Sequence, residues 1–230
     1  MDGLLLFNKP ILWTSHDAVD YVRRKAGQRS VGHAGTLDPL ATGLLLILLG
    51  KWTKKADELM GLDKSYEGTI LFGLETDSYD LDGKIQSVKT PENLTTDKIA
   101  SIFSTFTGKI SQAPPAFSAL KLNGKKFYEL ARAGEAVVPK SREVEIFEFN
   151  LNYFHEDEAA FTLSCSKGTY VRSLAYDAGK KLGCGGVLSS LVRTRIGPFY
   201  LKDALTKNDL DSMTQRQMEE SLTVENLSRV

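Results

Sequence analysis

Residues 32–43 constrain this chain more than any other segment. The run Gly32-His33-Ala34-Gly35-Thr36-Leu37-Asp38-Pro39-Leu40-Ala41-Thr42-Gly43 holds three glycines in twelve positions and leads directly into the six apolar residues Leu44–Leu49. Six apolar residues have the length of a strand covered on both faces, and fall far short of the roughly 20 needed to cross a bilayer. The glycines let the backbone turn sharply and approach a ligand closely. The fold must therefore set a tight polar loop at the mouth of a fully buried strand. On residue chemistry alone, Asp38-Pro39 has a plain structural reading there: Asp as a helix N-cap and Pro at the first helical position.

Around that segment, strand and helix patterns follow one another without a regular strand–helix–strand rhythm. Leu4–Phe7 reads as a short buried strand ended by Asn8-Lys9-Pro10. Thr14 and Asp17 have capping-box spacing ahead of Ala18, Val19 and Val22, and Gly27 closes that helix. Ser65–Gly73 and Lys84–Val88 read as strands, joined by a polar connection in which Asp77, Asp80 and Asp82 are expected to be solvated or capping. Ile99, Ile102, Phe103 and Phe106 repeat at helical spacing within Thr96–Thr107. Asn123-Gly124 marks a tight turn leading to a short helix near Phe127–Arg132. Val144–Leu151 and Ala160–Cys165 alternate as half-buried strands. After Lys167-Gly168-Thr169 comes a helix with Val171, Leu174, Ala175, Ala178 and Leu182 on one face and Gly183 at its end. Arg193–Gly197 reads as a last strand, and beyond about Asp211 the periodic signal fades. The expected class is α+β, with a mixed, largely antiparallel central sheet flanked by helices.

Hydrophobic residues make up 42% and charged residues 25%, as in ordinary globular chains. The 29 basic and 29 acidic residues cancel, so bulk charge would not hold a nucleic acid. Binding RNA would require a locally basic face. Two cysteines, Cys165 and Cys184, make no disulfide framework. The three histidines (His16, His33 and His155) are not spaced as metal ligands. No metal and no cofactor are expected. The first residues lack the basic start of a signal peptide, so a cytoplasmic monomer with no membrane association is expected.

The order of residues in 32–43 resembles the signature of the bacterial tRNA pseudouridine-55 synthases, the TruB-type pseudouridine synthases. Other segments carry the same resemblance. Leu6-Phe7-Asn8-Lys9-Pro10 with Trp13-Thr14-Ser15-His16-Asp17 is similar to the family's opening. Lys64-Ser65-Tyr66, Gly73 and Thr76-Asp77 resemble its second motif, and Cys165–Leu174 its third. Ala113–Lys121, Asn123–Lys126 and Tyr128–Arg132 resemble its RNA-gripping insertion, and Leu191-Val192-Arg193 with Arg195 lies near its closing motif. The resemblance runs from about Gly3 to Asp211. Two departures stand out: Leu12 occupies a position where the family usually has Gly, and Phe117 one where it usually has Tyr. It implies a catalytic domain over 1–211 with an insertion at about 110–142. It also implies a short tail over 212–230, in which the family's PUA-type RNA-binding domain is absent or vestigial.

What the resemblance implies for chemistry is specific. The substrate would be tRNA, gripped at its T-arm stem-loop, with uridine 55 flipped into the site and isomerised to pseudouridine. Asp38 would be the essential carboxylate. Arg172 would keep it ionised and oriented; on residue chemistry alone, a cation in the first turn of a helix calls for a nearby anion. Tyr66 would stack on the base and take part in removing the C5 proton. His33 would enter the T-loop, where aromatic side chains stack on exposed bases. Lys9, Tyr170 and Leu191 match pocket positions, and Lys121, Lys125 and Arg132 would contact phosphates. Read without the resemblance, Tyr66, Tyr170 and Leu191 suit core packing, and Lys9 a strand end. Three other functions compete: an RNA-folding protein without catalysis, a pseudouridine synthase of different target, and a glycoside hydrolase, for which no second carboxylate stands in a comparable motif.

Overall fold

The computed structural model describes residues 1–115, 121–122, 125–126 and 140–223, the two short pairs as backbone only. In chain order the strands are β1 (Gly3–Lys9), β2 (Val31–Ala34), β3 (Ala41–Leu49), β4 (Lys64–Phe72), β5 (Leu74–Thr76), β6 (Ile85–Val88), β7 (Gly108–Gln112), β8 (Lys121–Leu122), β9 (Lys125–Lys126), β10 (Arg142–His155), β11 (Glu158–Cys165), β12 (Gly186–Ile196) and β13 (Phe199–Tyr200). The helices are α1 (Ser15–Ala26), α2 (Ala56–Met60), α3 (Thr96–Ser104), α4 (Val171–Leu182), α5 (Lys207–Ser212) and α6 (Gln215–Glu220). The class is α+β, as the patterning predicts. The chain forms two compact units, one of Met1–Tyr66 with Leu191–Val230 and one of Glu67–Ser190. It passes from the first to the second within β4 and returns within β12.

In the first unit the strand order is β1-β3-β12-β4, with β2 also on β3 and β13 on β12. β1 and β2 pair antiparallel with β3, while β12 runs parallel to it. The apolar run of β3 is buried along its whole length, and its alternation splits it between two cores. Leu45, Ile47 and Leu49 pack with Leu5 and Phe7 against Ala18, Val19 and Val22 of α1 and against Leu210, Met218 and Leu222. Leu44, Leu46 and Leu48 pack with Leu4 against Trp52, Leu59, Ile196 and Phe199. The α1 boundaries follow the sequence signals: Thr14 caps with a reciprocal bond to Asp17, and Gly27 closes the helix at φ 61°. Beyond Asp211, Thr214 and Gln217 form a capping box that starts α6.

In the second unit the order is β12-β4-β11-β10-β7. β10 pairs antiparallel with both β7 and β11. α3 stops at Ser104, three residues before the expected end, and Phe103 stacks on Phe149 of β10 at 4.1 Å. β12 begins at Gly186, seven residues earlier than its charged end suggests. β8 and β9 form a hairpin with Lys121 opposite Lys126. These two strands flank Asn123-Gly124, and the expected helix near Phe127–Arg132 lies outside the described residues.

Candidate active site

In the first unit, β1, β3 and β12 place three residues in one row. Lys9 is the register partner of Gly43 on one side and Arg193 on the other. Gly43 has φ 97°, and a Cβ there would lie 2.5 Å from the Arg193 carbonyl oxygen, so only glycine fits between the two strands. Both flanking cations are buried: Lys9 is 0% exposed and Arg193 2%. An unpaired buried charge is costly, and both side chains satisfy their donors largely on backbone carbonyls.

Those carbonyls belong mostly to the loop that carries Asp38. Arg193 donates from Nη2 to Gly35 (3.1 Å), from Nη1 to Thr36 (3.3 Å) and from Nε to Leu44 (2.7 Å). Ser15 Oγ donates to the Leu37 carbonyl (3.1 Å) and accepts from the Leu37 N–H (2.8 Å). Pro39 accepts from the Leu12 N–H (2.8 Å) and from Lys9 Nζ (3.4 Å), which also donates to Pro10 and Trp13. The Asp38 carbonyl accepts from the Ala41 N–H (3.1 Å), where β3 begins. No helix follows Pro39, so the N-cap reading of Asp38 fails. The backbone on both sides of this half-buried carboxylate is fixed instead by contacts from β1, α1 and β12.

The titratable groups of this unit act on one another around that loop. Burial lowers the Lys9 ammonium to about 8 against the opposing pull of Asp38, and Arg193 lowers it further. Burial likewise lowers Arg193, against the opposing pull of Tyr66 and Asp38. Tyr66, on β4, is itself buried. His33, on β2, is half-buried with its Nδ1 lacking a hydrogen-bond partner among the described residues. Its ring packs edge-on to His16 at 5.8 Å. Burial lowers His33 to about 4, with His16 and Arg193 adding to the effect. Leu191 pairs in register with Ala41 at the start of β3.

The second unit holds Arg172, in the first turn of α4. Its Nη1 donates to the Ser78 carbonyl (3.0 Å) and lies 3.3 Å from Asp80 Oδ2, both side chains being less than 10% exposed. Asp80 is not solvated, as the polar connection suggests. It is buried and accepts from the Ser78 hydroxyl and the Asp82 N–H. The anion that a first-turn cation requires therefore comes from 92 positions upstream, a separation that no local pattern shows. Tyr79, between Ser78 and Asp80, takes φ 65° and stacks on Tyr176 at 4.1 Å. Tyr170 caps α4; its N–H and carbonyl both bond the buried Gln112 amide, and its ring lies 4.6 Å from the Arg142 guanidinium carbon. Arg132 lies outside the described residues, and so do the side chains of Lys121 and Lys125.

Two residues escape a reading of the sequence alone. Arg193 looks like half of a surface charge cluster, and the burial of its strand neighbours does not alternate in a way that marks it. Asp80 looks like one acid of a solvated turn. Among the described residues no cluster of three or more metal-ligating side chains occurs, and no helix is long and apolar enough to cross a membrane.

Comparison with known proteins bears on the same residues. A model described as TruB family pseudouridylate synthase (N terminal domain) matches residues 23–171, and one described as tRNA pseudouridylate synthase B C-terminal domain matches 172–230. The tRNA pseudouridine synthase B of Opitutus terrae is 43% identical over 222 residues, covering 96% of this chain and 92% of that one. The protein of the same name from Endomicrobium trichonymphae is 46% identical, covering 92% of each chain. The crystal structure of a Cbf5-Nop10-Gar1 complex superposes with a TM-score of 0.72 at 27% identity, over 91% of this chain and 54% of that one. The chain thus spans about half the length of that solved protein.

Proposed function

Since the chain belongs to the TruB family of pseudouridylate synthases, we propose that it isomerises uridine to pseudouridine in tRNA, at position 55 of the T-arm, with Asp38 as the essential carboxylate. The observation that carries the assignment is the loop around Asp38. Every backbone carbonyl from Gly35 to Pro39 accepts a hydrogen bond, that of Asp38 within its own turn and the others from side chains or backbone elsewhere in the unit. The backbone that carries the carboxylate is thereby fixed before substrate arrives, which is what positioned catalysis needs.

The reaction breaks the bond between C1′ and N1, rotates the base and rejoins it through C5. One proton moves from C5 to N1 overall, and nothing is oxidised or reduced. The residues this demands are a carboxylate, a proton acceptor for C5 and an enclosed place for the extruded nucleotide. Asp38 supplies the first. Tyr66, buried on β4, supplies the second, and Arg172 would keep the Asp38 carboxylate ionised and oriented. His33 would stack in the T-loop, with Lys9, Tyr170 and Leu191 lining the pocket and Lys121, Lys125 and Arg132 meeting phosphates.

Tritium release from C5-labelled uridine in a T-arm stem-loop transcript tests the proposal, with wild type beside Asp38→Asn. Release by the wild type alone supports both reaction and residue. Equal release by Asp38→Asn removes the carboxylate's role. Binding without release, on intact tRNA as well, favours an RNA-folding protein.

A further inference from the structure

Among the described residues, Tyr79 is the one aromatic residue whose backbone stands in the left-handed region, at φ 65°. That conformation is costly for a bulky L-residue and persists only where the surroundings hold it. Three contacts hold it here. The Tyr79 ring lies on the Tyr176 ring, with centroids 4.1 Å apart and planes at 19°. The Tyr79 carbonyl accepts from the Leu188 N–H (3.0 Å), and the Tyr79 N–H donates to the Thr76 carbonyl (3.4 Å). The Thr76 hydroxyl closes the turn by donating to the Asp80 carbonyl (2.6 Å).

The residues on either side of Tyr79 meet one nitrogen. Ser78 offers its carbonyl to Arg172 Nη1 (3.0 Å), and Asp80 sets its carboxylate 3.3 Å from the same atom. The left-handed residue between them is what brings both acceptors to that point. Tyr176 follows Arg172 by four residues on α4, so both stand on one face of the helix. α4 thus meets the same turn twice, once through charge and once through stacked rings. The ion pair ties down the end of a long side chain. The stack fixes where the turn lies along the helix, and offset aromatic pairs attract beyond the area they bury. Neither tyrosine falls within the motif segments that carry the family resemblance, so that resemblance assigns them no role.

We propose that Tyr79 and Tyr176 are positioning residues that act through Arg172: their stack holds the left-handed turn where it aims the guanidinium. This rests on the pseudouridine synthase reading above, in which Arg172 orients the Asp38 carboxylate. A purely structural stack would instead lower stability and leave each folded molecule as fast as wild type.

Single-turnover tritium release at saturating labelled stem-loop separates the two, with the folded fraction measured by circular dichroism and RNA affinity by filter binding. Tyr176→Ala removes one ring. Tyr79→Gly removes the other and relieves the backbone strain as well. Each should slow release about tenfold with RNA affinity kept, because an error of about 1 Å in a positioned group can cost about 100-fold. Tyr176→Phe keeps a stacked ring and should recover the wild-type rate to within about twofold. In the Arg172→Lys background, Tyr176→Ala should slow release by less than a further factor of about two, because positions that act as a unit are not additive. Should Tyr176→Ala fail to fold, Tyr79→Gly decides alone. A folded Tyr79→Gly or Tyr176→Ala with the wild-type rate overturns the proposal, and so does a loss in Arg172→Lys as large as in the wild type. No release by the wild type, on stem-loop or intact tRNA, overturns the functional reading itself.

Discussion

Lys9 and Arg193 are register partners of the same residue, Gly43, and both are sealed from solvent. The glycine between them is the hinge of the site. It lets β12 approach β3 closely enough for an arginine side chain to reach back to the carbonyls of the preceding loop. Gly43→Ala would put a methyl group 2.5 Å from the Arg193 carbonyl oxygen, at a φ of 97° that L-residues rarely adopt. The expected cost is at least about 2–3 kcal/mol, read as a lower urea midpoint with unchanged slope. A midpoint within error of wild type would show that the two strands can part without loss.

The Arg172–Asp80 pair should behave as a buried pair does. Removing one partner leaves the other charge uncompensated, so Asp80→Asn should cost on the order of 3 kcal/mol. Asp82→Asn, at an exposed neighbour, should stay within about 0.5 kcal/mol. Arg172→Lys, which keeps the charge but loses the planar fork, should lose turnover out of proportion to stability. Chemical denaturation beside tritium release distinguishes these outcomes; near-normal turnover by Arg172→Lys would remove it from the reaction.

His33 makes the fold acid-sensitive. Its folded value of about 4 lies below the ordinary 6.5, so between these values the unfolded chain binds a proton that the folded chain refuses. Stability therefore falls as pH drops from about 6.5 toward 4, by on the order of 2–3 kcal/mol in total. His33→Phe, with no proton to bind, should flatten this part of the curve. Melting temperatures measured at steps between those pH values, wild type beside variant, check the sign; parallel curves would assign the acid loss elsewhere.

The pattern of legibility follows the range of the forces involved. Caps, turns and periodicity act over a few residues, so α1 with its Thr14–Asp17 box and Gly27 close was plain in the sequence, as was the buried run of β3. The start of β12 is not legible because Gly185-Gly186 and Ser189-Ser190 carry little strand propensity; pairing with β4 makes the strand there. Asp38 stands out only by motif resemblance, because its local pattern reads as an N-cap and no helix follows Pro39. Arg193 and Asp80 were missed because each owes its burial to partners dozens of positions away. The C-terminal helices were under-read, although Thr214-x-x-Gln217 was a legible start and Met218 and Leu222 belong to the core.

Leu12 offers a test of backbone strain at the edge of the site. It occupies the left-handed region at φ 67°, its side chain is 71% exposed, and its N–H holds the Pro39 carbonyl beside Asp38. The loop thus keeps a shape suited to the glycine usual in the family, although leucine stands there. A left-handed L-residue costs about 1–2 kcal/mol, and glycine's extra freedom in the unfolded chain costs about 0.5–1 kcal/mol. The exposed side chain has little burial to lose. Leu12→Gly should therefore stabilise the fold by up to about 1 kcal/mol, raising the melting temperature by a few degrees at most. The hydrogen bond to Pro39 needs only the backbone, so it survives the change. A drop in melting temperature would mean that the exposed leucine makes contacts worth more than its strain.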